Sequence, residues 1–265
     1  MNVRNLLSQL ARSELGMGIV RGLVIGVLIV GGWRFFSATP AHESAAVPAV
    51  SAASATGAER TLAQSDHWTP NARTLAAYER LSPDARELVG WIVTTGDAAG
   101  TAFVIVDKKE AMVHVFDAAA QWRGSSPVLL GGAIGDDTVS GIGNRATADV
   151  LPEERTTPAG RFVGERGHNA RGEDVVWVDY DAAVSMHRVI TSNPAERRLE
   201  RLATPTPADN RISYGCINVP VAFYEAYIRP TFAEQHALVY ILPETRTLAE
   251  VFGLGRTVAR NASSQ

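Results

Sequence analysis

The sequence predicts a mostly β fold with a few helices. Short runs rich in β-branched and aromatic residues recur from about residue 102 to residue 243, and loops rich in Gly, Asp and Pro separate them. Apolar residues at helical spacing occur in only a few stretches. Strands and helices do not alternate regularly, which argues against a doubly wound α/β sheet.

Residues 1–35 have the pattern of an export segment. Three arginines precede an apolar run, Gly22–Trp33, of about twelve residues, whereas a membrane span needs about 20. Extending the run back past Arg21, whose side chain can snorkel, gives a marginal span, so a cleaved signal peptide and an uncleaved inner-membrane anchor both remain open. Either interpretation predicts a periplasmic or cell-envelope protein.

A flexible linker is predicted at residues 36–66. Ala, Ser, Pro, Thr and Val dominate it, and no aromatic residue occurs from Ser37 to Ser65, so it cannot bury enough surface to offset its ordering entropy. The chain that follows is long enough for one sizeable core. The formal net charge of −3 gives no basic footprint, which excludes nucleic acid as the expected partner.

Two helices are predicted in a lead-in at residues 67–100. The first covers about Thr74 to Arg80. The second is expected at Pro83–Thr95, because Ser82 suits the N-cap, Pro83 suits the first helical position, and apolar residues follow at helical spacing.

Residues 101–245 are predicted to form the β domain, with a C-terminal tail at 246–265. The opening runs AFVIVD and AMVHVF predict a hairpin with Lys108 and Lys109 at its turn. Further strands are predicted at SSPVLLGGAIG, GRFVGE, DVVWVDYD, AAVSMHRV and ALVYIL. A short helix with an arginine-rich face is expected after Asn193, and it would be either a solvated surface insertion or a lid.

The single cysteine, Cys216, lies in the stretch RISYGCINVP. One cysteine allows no intramolecular disulfide, and a lone cysteine is most often a small buried hydrophobe. The alternative is a nucleophile. Gly215 precedes it, and Pro220 predicts a helix start just after it, where unpaired backbone N–H groups would favour a thiolate.

A nucleophilic thiol needs a base, and His187 is the first candidate. It falls near the end of a predicted strand, on the face that Ala183 and Ser185 share. These small neighbours leave room beside its ring. His168, in a polar loop, is the next candidate.

The residues around the cysteine and the histidine, together with an earlier stretch, resemble the motifs of a known family. The stretch TTPAGRF at residues 156–162, His187, and SYGCIN at residues 213–218 resemble, in this order, the L,D-transpeptidase catalytic domain of the YkuD family. That family's motif is a His, a spacer, then Ser or Thr, His, Gly, Cys, a hydrophobic residue and Asn. The resemblance covers about Ala102 to Pro243 and implies a β-sandwich or barrel.

The sequence departs from the family motif in two places. Tyr214 stands where the motif has its second histidine, and the spacer over residues 188–212 is longer than usual. The resemblance implies Cys216 as nucleophile and His187 as base. It also implies a supporting set that forms the oxyanion site or shapes the loop, namely Ser213, Tyr214, Gly215 and Asn218. Arg188, next to His187, is a further candidate, as a substrate contact.

The implied activity is that of a cell-envelope cysteine acyltransferase. It would cleave the bond between the third and fourth residues of a peptidoglycan stem tetrapeptide through a thioester, and transfer the acyl group to an amine of another stem or of an envelope protein. No metal or organic cofactor is expected, and motifs such as HExxH, CxxC and GxSxG do not occur. Two alternatives stay open: a hydrolase acting on the same links, and a non-catalytic wall-binding module.

Overall fold

The computed structural model describes residues 68–233 and 236–254. The predicted export segment at 1–35 and the predicted linker at 36–66 lie outside these residues, as does the end of the predicted tail. Within the described ranges, no helix combines the length and apolarity needed to cross a membrane.

The described chain is mostly β, as the sequence predicts. Its strands are β1 (Phe103–Asp107), β2 (Met112–Phe116), β3 (Trp122–Pro127), β4 (Leu130–Gly131), β5 (Gly160–His168), β6 (Asp174–Asp179), β7 (Val184–Arg188), β8 (Arg211–Ser213), β9 (Ile217–Val219) and β10 (Ala237–Ile241). Eight of them form one sheet in the order β3-β2-β1-β10-β5-β6-β7-β9, and β4 pairs with β8. The predicted β runs therefore all contain strands.

A bridge between the two edges of the eight-stranded sheet nearly closes it. Leu129, just after β3, exchanges two backbone hydrogen bonds with Asn218 of β9, at N···O distances of 2.9 and 2.8 Å. β3 and β9 are the edge strands, so this contact brings the two edges of the sheet together in a barrel-like arrangement. It also pairs backbone N–H and C=O groups that an open edge would leave unpaired.

The helices of the described residues are short, apart from α2. They are α1 (Ala72–Tyr78), α2 (Pro83–Thr95), α3 (Arg198–Ala203), α4 (Val221–Phe223), α5 (Arg229–Thr231) and α6 (Leu248–Phe252), with a π-helical segment, Tyr224–Ile228, joining α4 to α5. The bounds of α2 are those predicted. The Ser82 hydroxyl accepts a hydrogen bond from the Ala85 N–H, and Gly96 ends the helix at φ 68°.

Strand β1 separates two apolar cores because its alternate side chains point to opposite faces. Val104 and Val106 pack in the core that also contains the π-helical segment. Phe103 and Ile105 pack in the second core, against α2. The beginning of the predicted tail also contributes to the second core, through Leu248 and Leu254. Burial of each large side chain contributes about 1.5–3 kcal/mol.

The helix predicted after Asn193 is broken. Asn193 does cap the segment, accepting a hydrogen bond from the Ala195 N–H at 3.2 Å, but only a single 3-10 turn, Pro194–Glu196, follows. Arg197 then takes a left-handed conformation at φ 51°, and α3 starts after it.

The helix predicted to begin with Pro220 at its first position begins one residue later, at Val221, with Pro220 as the residue before it. Strand β9 lies between Cys216 and this helix. The expectation that the helix N-terminus adjoins the thiol is therefore wrong, since the chain first adds a strand to the sheet.

The hairpin turn between β1 and β2 contains an enclosed lysine. The Lys108 side chain is fully buried, and its ammonium donates to the Gly135 carbonyl (2.6 Å), the Asp136 carboxylate (2.7 Å) and the Thr157 carbonyl (2.9 Å). Burial lowers the pKa of Lys108, against the opposing pull of Asp136 and Glu244. Burial alone would raise the pKa of Asp136, but bonds from Lys108 and the 244–245 segment hold it far below its ordinary value.

Lys108→Met is expected to lower the free energy of unfolding by about 3–5 kcal/mol, because it removes the buried cation closest to the buried Asp136 carboxylate and leaves only Arg246, at 3.9 Å. Lys109 is a matched control in the same turn. It is half exposed and pairs with Asp84 at the surface, so Lys109→Met should cost less than about 1 kcal/mol. Urea unfolding of both variants measures the difference; equal stabilities would contradict this role of Lys108.

Candidate active site

Cys216 lies in a tight loop between β8 and β9. The Ser213 hydroxyl donates to the Cys216 carbonyl at 2.6 Å and accepts a hydrogen bond from the Gly215 N–H at 3.1 Å. Gly215 has φ 127°, and a Cβ there would lie 2.7 Å from the Thr156 carbonyl oxygen. Glycine is required at this position by both the conformation and the close approach.

Thr157 fixes this loop to the rest of the domain. Its buried hydroxyl donates to the Gly215 carbonyl and accepts from the Gly131 N–H, both at 2.9 Å. Its own carbonyl receives the ammonium of Lys108. The TTPAG stretch therefore supports the cysteine loop from behind, a contact that the sequence alone did not predict.

His187 lies on β7, next to the strand that follows the cysteine. β7 and β9 are parallel, with His187 opposite Asn218 in the register. The Nδ1 atom of His187 lies 2.7 Å from the Arg188 carbonyl. Because a carbonyl can only accept, Nδ1 carries the proton and Nε2 remains for the thiol.

The thiol and the imidazole form an interacting pair. Burial raises the pKa of Cys216, but hydrogen bonding and charge interaction with His187, together with bonds from Ser185, bring it below its ordinary value. Burial lowers the pKa of His187, and interaction with Cys216 raises it above its ordinary value. Each partner thus favours the charged form of the other, which is the condition for a reactive thiolate.

Ser185 and the backbone of Ala183 lie next to the sulfur atom. The Ser185 hydroxyl lies 3.7 Å from Sγ, and the Ala183 carbonyl lies 3.6 Å from it. Ser185 is on β7 with His187, whereas Ala183 lies just before the strand with φ 55°, so its contact comes from the turn and not from strand alternation.

The backbone N–H groups of Tyr214, Gly215 and Cys216 differ in their availability as oxyanion donors. The N–H of Gly215 is used by Ser213. The N–H groups of Tyr214 and Cys216 have no hydrogen-bond acceptor among the described residues. Two main-chain donors on either side of Gly215 therefore remain for a ligand.

Asn218 connects the site to the long spacer. Its side-chain amide donates to the Cys216 carbonyl at 3.3 Å, and its side-chain oxygen accepts from Arg198 at 2.6 Å. Arg198 also opposes protonation of His187 through its charge. The arginine-rich segment is thus partly an element of the site. Nothing in the sequence distinguishes Arg198 from the other arginines of that segment, because its partner Asn218 is distant along the chain.

Two clefts lie near the pair, although Cys216 lines neither: one includes His187 in its lining, and the other includes Ala183, whose carbonyl contacts the sulfur. One, of about 710 Å³, is lined by His187, Arg188 and the residues that follow them. The other, of about 450 Å³, is lined by Ala183, Trp177 and Tyr180. Arg188 lines the first cleft, but its guanidinium is already bound to Glu225 at 2.6 Å and to the Asp174 carbonyl at 3.0 Å, so its predicted substrate contact would compete with these bonds.

The other described histidines lie apart from the thiol. His168 ends β5 with an exposed side chain. His114 is buried against Ser125, and burial lowers its pKa to about 4. His236 is exposed just before β10. Over residues 68–233 and 236–254, no cluster of His, Cys, Asp or Glu has a grouping that would hold a metal ion.

The ring of Tyr214 is exposed and packs against Arg155. The Arg155 guanidinium lies 4.1 Å from the ring centre. The tyrosine that replaces the motif's second histidine therefore has an arginine partner. Arg155 was not among the predicted site residues, because its contact joins two loops far apart in sequence.

No protein-family model and no curated protein matches the chain. Solved structures are similar to parts of it. The helical cell shape determining protein Pgp2 from Campylobacter jejuni aligns at 15% identity and a TM-score of 0.38, over 56% of this chain and 49% of that one, so this chain spans about half its length.

Two further structures are L,D-transpeptidases. The catalytic domain from E. faecium aligns at 14% identity and a TM-score of 0.30, over 54% of this chain and 98% of that domain. The enzyme from Mycobacterium smegmatis aligns at 11% identity and a TM-score of 0.31, over 53% and 58%. At these low values the likeness concerns the mostly β fold and assigns no activity to this chain.

The pH dependence of Cys216 alkylation by iodoacetamide tests the pair. Since the pKa of Cys216 is lowered, the wild-type rate should persist below the ordinary thiol pKa of about 8.5. His187→Gln should move the midpoint upward, to or above that value, because burial then acts unopposed. Coincident midpoints in the two proteins would contradict the pairing.

Proposed function

We propose that the protein is a cell-envelope cysteine acyltransferase that acts on peptidoglycan stem peptides. The observation that carries the proposal is the placement of Cys216 and His187 on the neighbouring parallel chain segments that lead into β9 and along β7, with Nδ1 of His187 bonded to the Arg188 carbonyl and the Ser185 hydroxyl 3.7 Å from the sulfur. The interaction of the two side chains lowers the pKa of the thiol. The order of the TTPAG stretch, His187 and the SYGCIN stretch, which resembles the L,D-transpeptidase motif, supports the choice of substrate.

The first half-reaction would form a thioester. The Cys216 thiolate attacks the carbonyl carbon of the third stem residue, and the oxyanion accepts hydrogen bonds from the N–H groups of Tyr214 and Cys216. Such donors each contribute about 3–4 kcal/mol to transition-state stabilisation. The imidazolium of His187 then gives its proton to the leaving nitrogen of the fourth residue, and that residue departs as a free amine.

The second half-reaction would resolve the thioester. An acceptor amine attacks the acyl carbon, His187 takes the amine proton, and the carbon–sulfur bond breaks to regenerate Cys216. An acceptor on a neighbouring stem gives a 3-3 cross-link, and an acceptor on an envelope protein attaches that protein to the wall. Water in place of the amine would give hydrolysis by the same groups.

The proposal includes the rest of the chain. Residues 101–245 form the catalytic domain, 67–100 its helical lead-in and 246–265 its tail. The segment at 1–35 exports the domain to the periplasm and holds it at the inner membrane if it is not cleaved. The linker at 36–66 gives the domain reach toward the wall.

Covalent acylation by a carbapenem, followed by mass spectrometry, provides a first test. The wild type should gain one adduct, at Cys216. Cys216→Ser should gain none, and His187→Gln should react at least tenfold more slowly, because an unassisted thiol is only a few per cent ionised at neutral pH.

His168→Gln is the matched control, since His168 is exposed and lies at the end of β5; it should react like the wild type. Purified muropeptides then separate the outcomes. Cross-linked dimers support transfer, and free tripeptides or released protein indicate hydrolysis. An unreactive wild type would overturn the proposal in favour of a non-catalytic wall-binding module.

A further inference from the structure

Arg155 is an arginine without a carboxylate partner beside the cysteine loop. Its Nη2 donates to the Val150 carbonyl at 3.2 Å, and its Nε is buried without a hydrogen-bond acceptor. Among the described residues, no carboxylate lies within ion-pair distance of it. Several other arginines of the domain do have such partners, namely Arg145, Arg188, Arg198, Arg211 and Arg246.

The neighbouring acid does not neutralise this charge. The Glu154 carboxylate is held by Arg145 at 2.8 Å and by the Leu151 N–H at 2.9 Å. These bonds keep the pKa of Glu154 below its ordinary value. Glu154 is therefore ionised and already occupied, and the charge of Arg155 remains available to a ligand.

The Tyr214 ring fixes the orientation of this charge. The guanidinium lies over the ring face, 4.1 Å from its centre. Because Nη2 is bonded to the Val150 carbonyl and Nε is buried, Nη1 is the nitrogen that remains for a charge-assisted hydrogen bond to a carboxylate. Tyr214 is 43% exposed, so a ligand can reach the pair from solvent.

We propose that Arg155, oriented by Tyr214, binds a carboxylate of the ligand that reaches Cys216. Tyr214 is two residues from Cys216, so their Cα atoms lie at most about 7 Å apart. The carboxylate recognised would thus belong to the part of the ligand near the carbonyl that Cys216 attacks. This inference rests on the proposed function. It makes Arg155 and Tyr214 a determinant of selectivity for acidic peptide ligands over neutral ones.

The role also explains the departure from the family motif. A phenol ring offers its face to a cation at any pH near neutrality, whereas a histidine in that position would become cationic in mild acid and repel the guanidinium. Tyr214 then acts through Arg155 as a positioning residue, and its hydroxyl is not needed.

Thiol–disulfide exchange at Cys216 with two reagents tests the proposal without peptidoglycan. Dithiobis(nitrobenzoate) carries carboxylates, and dithiodipyridine is neutral. The rate with dithiobis(nitrobenzoate) divided by the rate with dithiodipyridine measures attraction of a carboxylate. The rate with dithiodipyridine alone measures the reactivity of the Cys216–His187 pair. Arg155→Gln should lower the ratio about fivefold, the size of one charge contact at a water-exposed site.

Variants of the ring and a remote arginine complete the test. Tyr214→Phe should keep the wild-type ratio, and Tyr214→Leu should lower it as Arg155→Gln does. Arg123→Gln is the control, because Arg123 is exposed on β3 and pairs with Asp117; it should leave the ratio unchanged.

A ratio in Arg155→Gln equal to that of the wild type would overturn the proposal, as would a wild-type Cys216 that neither reagent reaches. A wild-type rate with dithiodipyridine no faster than that of an ordinary thiol would instead count against the proposed catalytic function. The ratio of the two rates would still decide the role of Arg155.

Discussion

The arrangement of the site depends on the buried hydroxyl of Thr157. It joins the Gly131 N–H to the Gly215 carbonyl, and the carbonyl of the same residue receives the Lys108 ammonium. One residue thus connects β4, the cysteine loop and the turn of the first hairpin. A buried donor or acceptor left without a partner costs about 1–3 kcal/mol, so these bonds hold the loop in one conformation. The nucleophile is positioned by this support as much as by its immediate neighbours.

Two opposing effects, burial and the mutual interaction of Cys216 and His187, determine whether the sulfur is a thiolate. Burial disfavours both a thiolate at Cys216 and an imidazolium at His187, and only their mutual interaction offsets it. The pair consequently behaves as a unit, in which loss of either partner leaves the other in its neutral form. Arg198 adds a positive charge that limits protonation of His187, which makes the long spacer part of the electrostatic environment.

The sequence predicted the features that depend on residues close together along the chain. Capping by Ser82 and the helical spacing after it gave the bounds of α2, and the alternating run around His187 gave strand β7. Features that depend on distant partners were not predictable. Lys108 and Lys109 are equivalent in the sequence of the turn, yet one is enclosed by groups from residues 135, 136 and 157 and the other is half exposed. The break at Arg197 is not signalled by the local sequence either, since the cap at Asn193 is present but the helix does not continue.

Because the Thr157 hydroxyl holds the cysteine loop, we expect it to be needed for acylation of Cys216. Thr157→Val retains the size of the side chain but leaves Gly131 and Gly215 without their partner. Thr156→Val is the control, because the Thr156 hydroxyl donates to the Asp137 carbonyl instead. The deciding measurement is the carbapenem acylation rate in the two folded variants. We expect a fall of about tenfold or more for Thr157→Val, the effect of about 1.4 kcal/mol or more, and a near wild-type rate for Thr156→Val. A wild-type rate in folded Thr157→Val would contradict the account.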